Sequence, residues 1–222
     1  LRVDASILGR YSASRTLADE VQKHWNDQHP DAAVIYRDLA ASPVLASSWI
    51  AAVSGNQIPD GQRTADQKAG LALAQELFEE LTNAQSVLLA TGLYNWGVNQ
   101  LVKSWIDQIL VVAAPLGEVL RGKDIVIVVS RGGYYGEDGP KAGWDHGTPW
   151  LVRIFSDQFG GDVTLVERDF TLVGVNPALN GFKEQGAALK KAALADAEKA
   201  GKALAAAYSG RIARLTAPQF PG

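Results

Sequence analysis

Cysteine is absent from the 222 residues, which removes disulfides, thiolate nucleophiles and Cys-ligated metal sites together while leaving the redox compartment open. No metal site is read from the remaining residues. Methionine is absent as well, so an initiator and a few further residues are expected ahead of Leu1. An excess of one charge is also lacking. Lys and Arg number 21 against 24 Asp and Glu, a net of 21 − 24 = −3, the sequence pI is near 5.6, and no run of Lys or Arg forms a stripe. A nucleic-acid partner or an anionic membrane surface is therefore not expected. No stretch reaches about 18 uninterrupted apolar residues, and no basic-then-apolar leader is present. The reading is a soluble cytoplasmic protein, with residues 1–222 forming one domain of a size that buries most of its apolar surface.

What is present is an alternation of apolar runs and helical periodicity. Ser86 to Asp107 organises the rest. Val87 to Ala90 is a short apolar run that reads as a buried parallel strand. From Val98 the residues Val98, Leu101, Val102, Trp105, Ile106, Ile109 and Leu110 fall on one helical face. Leu1 to Ala5 reads as a first strand, and Leu17, Val21 and Trp25 mark a first helix running toward Pro30 with Ser12 or Ser14 as its cap. A second strand is expected at 33–39. The connection 40–62 is long, with at most a helical turn near Trp49 to Val53, and a loop of that size is usually functional or covered by a partner. Thr64-Ala65-Asp66-Gln67 fits a capping box that opens the helix carrying Leu71, Leu77 and Leu81. Asp124 to Ser130 is apolar through its interior and reads as a deeply buried fourth strand, 149–159 as a helix, 163–167 as a fifth strand, and 177–208 as a long final helix. The tail from Arg211 carries no pattern that places it.

Five strands alternating with five helices specify right-handed parallel βαβ units. The expected fold class is α/β, doubly wound, with a five-stranded parallel sheet in the order 2-1-3-4-5 and its switch point between strands 1 and 3. Three loops then meet at one place. Ser6 to Ser14 offers hydroxyls and the unpaired N–H groups of a helix start, an anion site that needs no lysine. Leu93 to Trp96 places Tyr94 and Trp96 around Asn95. Ser130-Arg131-Gly132-Gly133 opens a loop to about Thr148 in which two glycines allow close backbone approach. Taken singly, each loop has a structural explanation: helix capping, core packing and a tight turn. Taken together, a phosphate at one end and a flat polar heterocycle at the other describe FMN. Neither a G-x-G-x-x-G fingerprint nor a P-loop is present.

These residues resemble the FMN-dependent NAD(P)H:quinone oxidoreductases called azoreductases, within the flavodoxin-like fold, from Leu1 to about Leu172. The family's Ser-x-x-x-x-x-Ser-x-Ser is met by Ser6, Ser12 and Ser14, with Ala13 where glutamine is common. Its Pro-Met-Tyr-Asn-Phe stands here as Gly92-Leu93-Tyr94-Asn95-Trp96, its Leu-Lys-x-x-x-Asp as Val102, Lys103 and Asp107, its Ser-Arg-Gly-Gly as Ser130 to Gly133, and its Asp-Gly-Pro as Asp138, Gly139 and Pro140. The connection Ala113 to Arg121 is shorter than in many relatives, where it reaches toward the flavin across a dimer, and Phe155 to Gly161 is more polar than usual.

The resemblance implies FMN as cofactor, NADH or NADPH as hydride donor, a quinone, azo or comparable aromatic small molecule as acceptor, and a homodimer. It makes Ser6, Ser12, Ala13 and Ser14 the phosphate loop, assigns Asn95, Gly132 and Gly133 to the polar edge of the ring, Leu93, Tyr94 and Trp96 to its packing, and Ser130 and Arg131 to the neighbouring loop. No acid or base is required, and His146 is the one candidate for donating a proton to product. Tyr134, Tyr135 and Trp144 are expected to offer flat surface to a broad acceptor, with the short Ala113 to Arg121 connection leaving that side open. The alternatives are a flavodoxin-type electron carrier, a cofactor-free binding module, and a reductase dedicated to a polycyclic intermediate of one pathway. A carrier gives no reason for the large aromatic loop from Arg131 to Thr148.

Overall fold

Strands made of residues apolar on both faces can only be central, and the structure, a computed structural model describing residues 1–216, puts them there. The strands β1 (Arg2–Asp4), β2 (Tyr36–Asp38), β3 (Ser86–Gly92), β4 (Asp124–Ser130) and β5 (Asp162–Arg168) form one sheet in the order β2-β1-β3-β4-β5. Every pairing is parallel, with Asp4 opposite both Asp38 and Ala90, and Gly92 opposite Ser130. Alternate residues of the central strands serve two cores. Val87, Leu89, Ile125 and Ile127 face one, while Leu88, Ala90, Val126 and Val128 face the other.

The helices α1 (Ala13–Asn26) and α6 (Lys183–Thr216) supply the second core, where Leu17 and Val21 meet Ala193, Ala197, Ala200 and Leu204. Small residues let these two helices close up. A Cβ on Gly201 would collide with the carbonyl of Val21. The opposite face is covered by α3 (Ala65–Asn83), α4 (Gln100–Ala113) and α5 (Thr148–Arg153), the last continuing as a π-helical turn through Gln158. There Trp105 is fully buried and stacks on Phe155 with ring centroids 6.4 Å apart.

Ser12, not Ser14, caps α1, accepting the Arg15 N–H at 3.1 Å. The capping box at Thr64 forms in both directions, at 3.3 and 3.0 Å. The described residues hold six α-helices rather than five, because the 40–62 connection contains α2 (Ala46–Gly55). Its periodicity is hidden, since only Ala52 and Gly55 are buried while Trp49, Ile50 and Val53 face outward. The second strand is shorter than the apolar run that announces it, because only Tyr36 to Asp38 pair with β1. The final helix starts six residues later than expected, after a 3-10 turn at Pro177–Phe182, and runs on to Thr216. The tail beyond that lies outside the described residues. No helix among them is long and apolar enough to cross a membrane.

The connection from Ala113 to Arg121 packs at the end of the sheet where β4 begins, and the Leu120 N–H donates to Phe159 at 2.7 Å. Within one chain it lies at the opposite end from the loops that follow β1, β3 and β4. Its shortness therefore removes no wall from this chain's own site.

Candidate functional site

Parallel order brings the carboxyl ends of β1, β3 and β4 together, and side chains then fix the loops that leave them. At the base sits Asp4, fully buried and gripped by Arg2 through two bonds of 3.1 and 3.0 Å. The Tyr36 hydroxyl adds a third bond at 2.9 Å, and Arg15 lies 3.6 Å away while pairing with Asp38 at 2.6 Å. Burial and the bond to Asp4 push the Tyr36 hydroxyl up to about 12. This network ties the end of β1 to the start of α1 and to β2, so the loop between them has a rigid floor.

Ser6, Ser12 and Ser14 are all buried. The Ser12 and Ser14 hydroxyls lie 3.1 Å apart, and Ser6 accepts the Leu8 N–H at 3.2 Å. Ala13 and Ser14 open α1, and their N–H groups donate to nothing among the described residues. The serine loop touches the second loop directly, since the Ser6 and Tyr94 hydroxyls are 3.5 Å apart. Asn99, the cap of α4, reinforces this contact by donating to the Ala5 carbonyl while accepting the Leu101 N–H at 2.9 Å.

In the second loop Asn95 and Trp96 both have positive φ, 48° and 63°, and the Gly97 N–H returns to the Tyr94 carbonyl at 3.1 Å. Two successive left-handed residues make the mirror-image turn that natural hairpins favour, and asparagine tolerates it well. The turn exposes Asn95 and Trp96, whose N–H groups have no partner among the described residues. Leu93 is anchored below by its N–H on the Ser130 carbonyl at 2.9 Å.

The third loop is held from outside. The carbonyls of Gly132 and Gly133 accept the N–H groups of Leu172 and Phe170 at 3.2 and 2.9 Å, which leaves their own N–H groups unpartnered among the described residues. A side chain at Gly132 would run into Leu172 at 2.8 Å. Arg131 is committed to acids of the segments that follow it. Its guanidinium bonds Asp169 at 2.5 Å, Asp145 at 2.9 Å and Glu167 at 3.0 Å. Burial opposes its charge, but Glu167, Asp169 and Asp145 outweigh that and raise its pKa above the ordinary value. Asp145 in turn accepts the N–H groups of Gly147 and Thr148 at 3.0 and 2.8 Å and the Thr148 hydroxyl at 2.6 Å. Burial works against its ionisation too, yet the Thr148 and Arg131 bonds lower its pKa. The Arg131 guanidinium is thus a strut of the loop, spent on three carboxylates.

The far side of the loop folds back on the second. The His146 N–H donates to the Trp96 carbonyl at 2.9 Å, and Trp96 meets Trp144 edge to face with centroids 5.6 Å apart. His146 is exposed and its ring bonds nothing among the described residues. Tyr135 lies against Arg131. Tyr134 departs from the expected acceptor surface: it stacks on Phe170 at 5.3 Å, which stacks on Phe182 at 5.0 Å, and its hydroxyl is bound to Asp138 at 2.7 Å. Lys141, Asp145, Asp169 and Phe170 were not among the residues that the sequence singled out. Asp145 carries a usable signal, an acid three residues ahead of a Thr-Pro helix start; the others depend on pairings between distant segments.

No group of three His, Asp or Glu among the described residues is placed to hold a metal ion. An apolar cavity of about 300 Å³ exists, but it lies at the other end of the sheet near Trp25, Leu88 and Tyr208 and has no contact with these loops.

A helix start, a left-handed turn and a glycine pair converging at the β1/β3 switch point define a protein of the flavodoxin-like class. Residues 1–163 match the model of the family described as Flavodoxin-like fold. An FMN-dependent NADH:quinone oxidoreductase of Frankia alni is 38% identical over 189 residues, covering 83% of this chain and 89% of that protein. One from Streptomyces avermitilis is 31% identical, covering 92% and 96%. Among solved structures, an azoreductase from Bacillus anthracis superposes with a TM-score of 0.72 at 20% identity, covering 91% of this chain and 97% of that one. The chain belongs to this flavodoxin-like family and, within it, to the FMN-dependent NADH:quinone oxidoreductases.

Proposed function

We propose that the protein is an FMN-dependent oxidoreductase that takes a hydride equivalent from NADH and delivers it to a quinone, azo or related planar aromatic acceptor, in the cytoplasm. The observation that carries this reading is that two sets of unpartnered N–H groups stand on the loops that meet at the carboxyl ends of β1, β3 and β4. At one end the N–H groups of Ala13 and Ser14 stand over the buried hydroxyls of Ser12 and Ser14, at the positive end of a 14-residue helix. At the other end the N–H groups of Asn95, Trp96, Gly132 and Gly133 are available for the polar edge of a ring. These residues fit FMN. Ser6, Ser12, Ala13 and Ser14 would hold its phosphate, Leu93, Tyr94 and Trp96 would pack its ring, and Asn95, Gly132 and Gly133 would orient the ring edge, with Ser130 fixing the loop below.

When bound, FMN supplies the redox chemistry, accepting hydride at N5 and returning it to the acceptor. The chain's work is to hold the ring between fixed loops, to exclude water from one face with Leu93 and Trp96, and to leave the other face open for donor and acceptor in turn. His146, exposed on the loop between β4 and α5, is taken as the candidate for giving a proton to the product anion. NADH is taken as the donor because the relatives' names specify it. A second copy of this chain is the proposed cover for Trp49, Ile50 and Val53, since an outward helix face of three large apolar side chains, between 40% and 59% exposed, suits isologous pairing.

The test is purification. The reading expects a yellow protein that releases FMN on denaturation, oxidises NADH in the presence of a quinone, and sediments at twice 23.7 kDa. A flavin-containing protein that fails to turn over NADH would be the electron carrier instead, and a colourless one that does not take up FMN would be neither.

A further inference from the structure

Lys141 follows the Asp-Gly-Pro segment, and its surroundings are unusual for a surface lysine. It is half-buried, with its ammonium 5.4 Å from the centroid of Tyr135 and 6.0 Å from that of Trp96. Neighbouring acids are engaged elsewhere: Asp138 by Tyr134, and Asp145 and Asp169 by Arg131. No carboxylate among the described residues pairs with it. Its Nζ also overlooks the glycine pair, 3.5 Å from where a Cβ on Gly133 would stand. An uncompensated cation is thus held by two aromatic faces directly beside the backbone assigned to the polar edge of the ring.

We propose that Lys141 is the residue that sets the reduction potential of the bound flavin, by placing its charge next to the pyrimidine edge where negative charge collects on reduction. The proposal rests on the FMN reading above. In the donor half-reaction NADH gives up a hydride and becomes NAD⁺. The cofactor gains two electrons and one proton, and so one net negative charge, shared between N1 and the C2 oxygen. In the acceptor half-reaction the hydride leaves to the quinone, the second proton reaches the product anion from solvent by way of His146, and the charge on the cofactor is lost. With FMN bound, a cation beside the Gly133 backbone would favour the reduced state over the oxidised one, because attraction in a partly desolvated site is strong compared with water. Cation–π contact with Tyr135 and Trp96 keeps the ammonium aimed there.

The experiment compares holoprotein of wild type, Lys141→Gln and Lys141→Arg by FMN occupancy, by affinity of the apoprotein for oxidised FMN, and by the two-electron midpoint potential read against a reference dye. Lys141→Gln is expected to bind oxidised FMN within about twofold of wild type and the reduced form about tenfold more weakly. A tenfold difference lowers the two-electron potential by about 30 mV. Lys141→Arg should restore most of it. FMN bound with an unchanged potential in Lys141→Gln would overturn the proposal, and so would a loss confined to KM for the quinone, which would assign the cation to the acceptor. A wild-type protein that takes up no FMN would overturn this proposal and the functional reading together.

Discussion

Replacing Arg131 with methionine removes the cation from its three carboxylates while keeping most of its aliphatic bulk. The three do not lose equally. Glu167 is 39% exposed at its side chain and is rescued by water, so it contributes little. Asp145 keeps the bonds from Gly147 and Thr148. Asp169, 7% exposed, keeps only the Tyr135 N–H at 2.8 Å and becomes the principal orphan. Breaking a fully buried pair costs about 3–5 kcal/mol; with one carboxylate wet and two partly satisfied, the expected loss for Arg131→Met is about 2–3 kcal/mol. At about 2–4 °C per kcal/mol for a chain of this size, the melting temperature should fall by about 5–10 °C.

The same cluster gives a pH signature. Asp145 has a lowered pKa, so it contributes stability above the unfolded carboxylate value of about 3.9 and loses it as pH falls through its lower folded value. Removing Arg131 raises that folded value. The deficit of the variant should therefore be full at neutral pH and shrink below about pH 4. Urea unfolding of the apoprotein followed by far-UV circular dichroism measures both. A deficit under about 0.5 kcal/mol at neutral pH, or one that stays constant into acid, would refute the argument that Arg131 is held by charge and not by packing.

Replacing Ser12 and Ser14 together with alanine should weaken FMN binding, each hydroxyl to a charged phosphate being worth about 1.5–3 kcal/mol; quenching of FMN fluorescence on titration with apoprotein reads the loss, and unchanged affinity would remove the phosphate site. Gly201→Ala puts a methyl group against the Val21 carbonyl and should cost about 1–3 kcal/mol in urea unfolding, with FMN affinity retained because the clash meets α1 about two turns beyond Ser14. Trp144→Ala strips the edge contact from Trp96, and the ratio of kcat/KM for a three- or four-ring quinone to that for a benzoquinone should fall, at about 0.5–1.5 kcal/mol per ring contact. A wild type that prefers the small quinone would show that this loop does not bind the acceptor.

Much of this architecture is legible in the sequence because its signals are local. The runs Val87 to Ala90 and Ile125 to Val129 have no polar residue to turn outward, which places β3 and β4 in the centre. Ser12 and Thr64 announce the starts of α1 and α3. The helix α2 escaped full recognition for the converse reason: its large side chains face away from the core, so the pattern that marks an amphipathic helix is inverted. In the site, the three loops could be found from the strands that precede them. The sequence could not reveal that the Arg131 side chain is spent on three acids, since its partners Asp145, Glu167 and Asp169 lie 14 to 38 positions away, nor that Tyr134 is spent on Phe170. Short motifs locate a loop; the direction of each side chain depends on segments that arrive later.

The strand order also governs when the site can exist. β3 lies between β1 and β4, so the serine loop gains its neighbour Tyr94 only after more than 90 residues have been synthesised. Gly132 and Gly133 are not fixed until Phe170 and Leu172 come back to them. Docking of the segment after β5 is thus the last step in building the trough. A ribosome-bound chain stopped short of Phe170 could assemble β1, β2, β3 and α1 and present the phosphate end and the Asn95–Trp96 turn while Gly132 and Gly133 still lack the Phe170 and Leu172 bonds that hold them. Cofactor capture by the full trough is then an event of late folding, and the isolated apoprotein must reach its native sheet without a ring to template it.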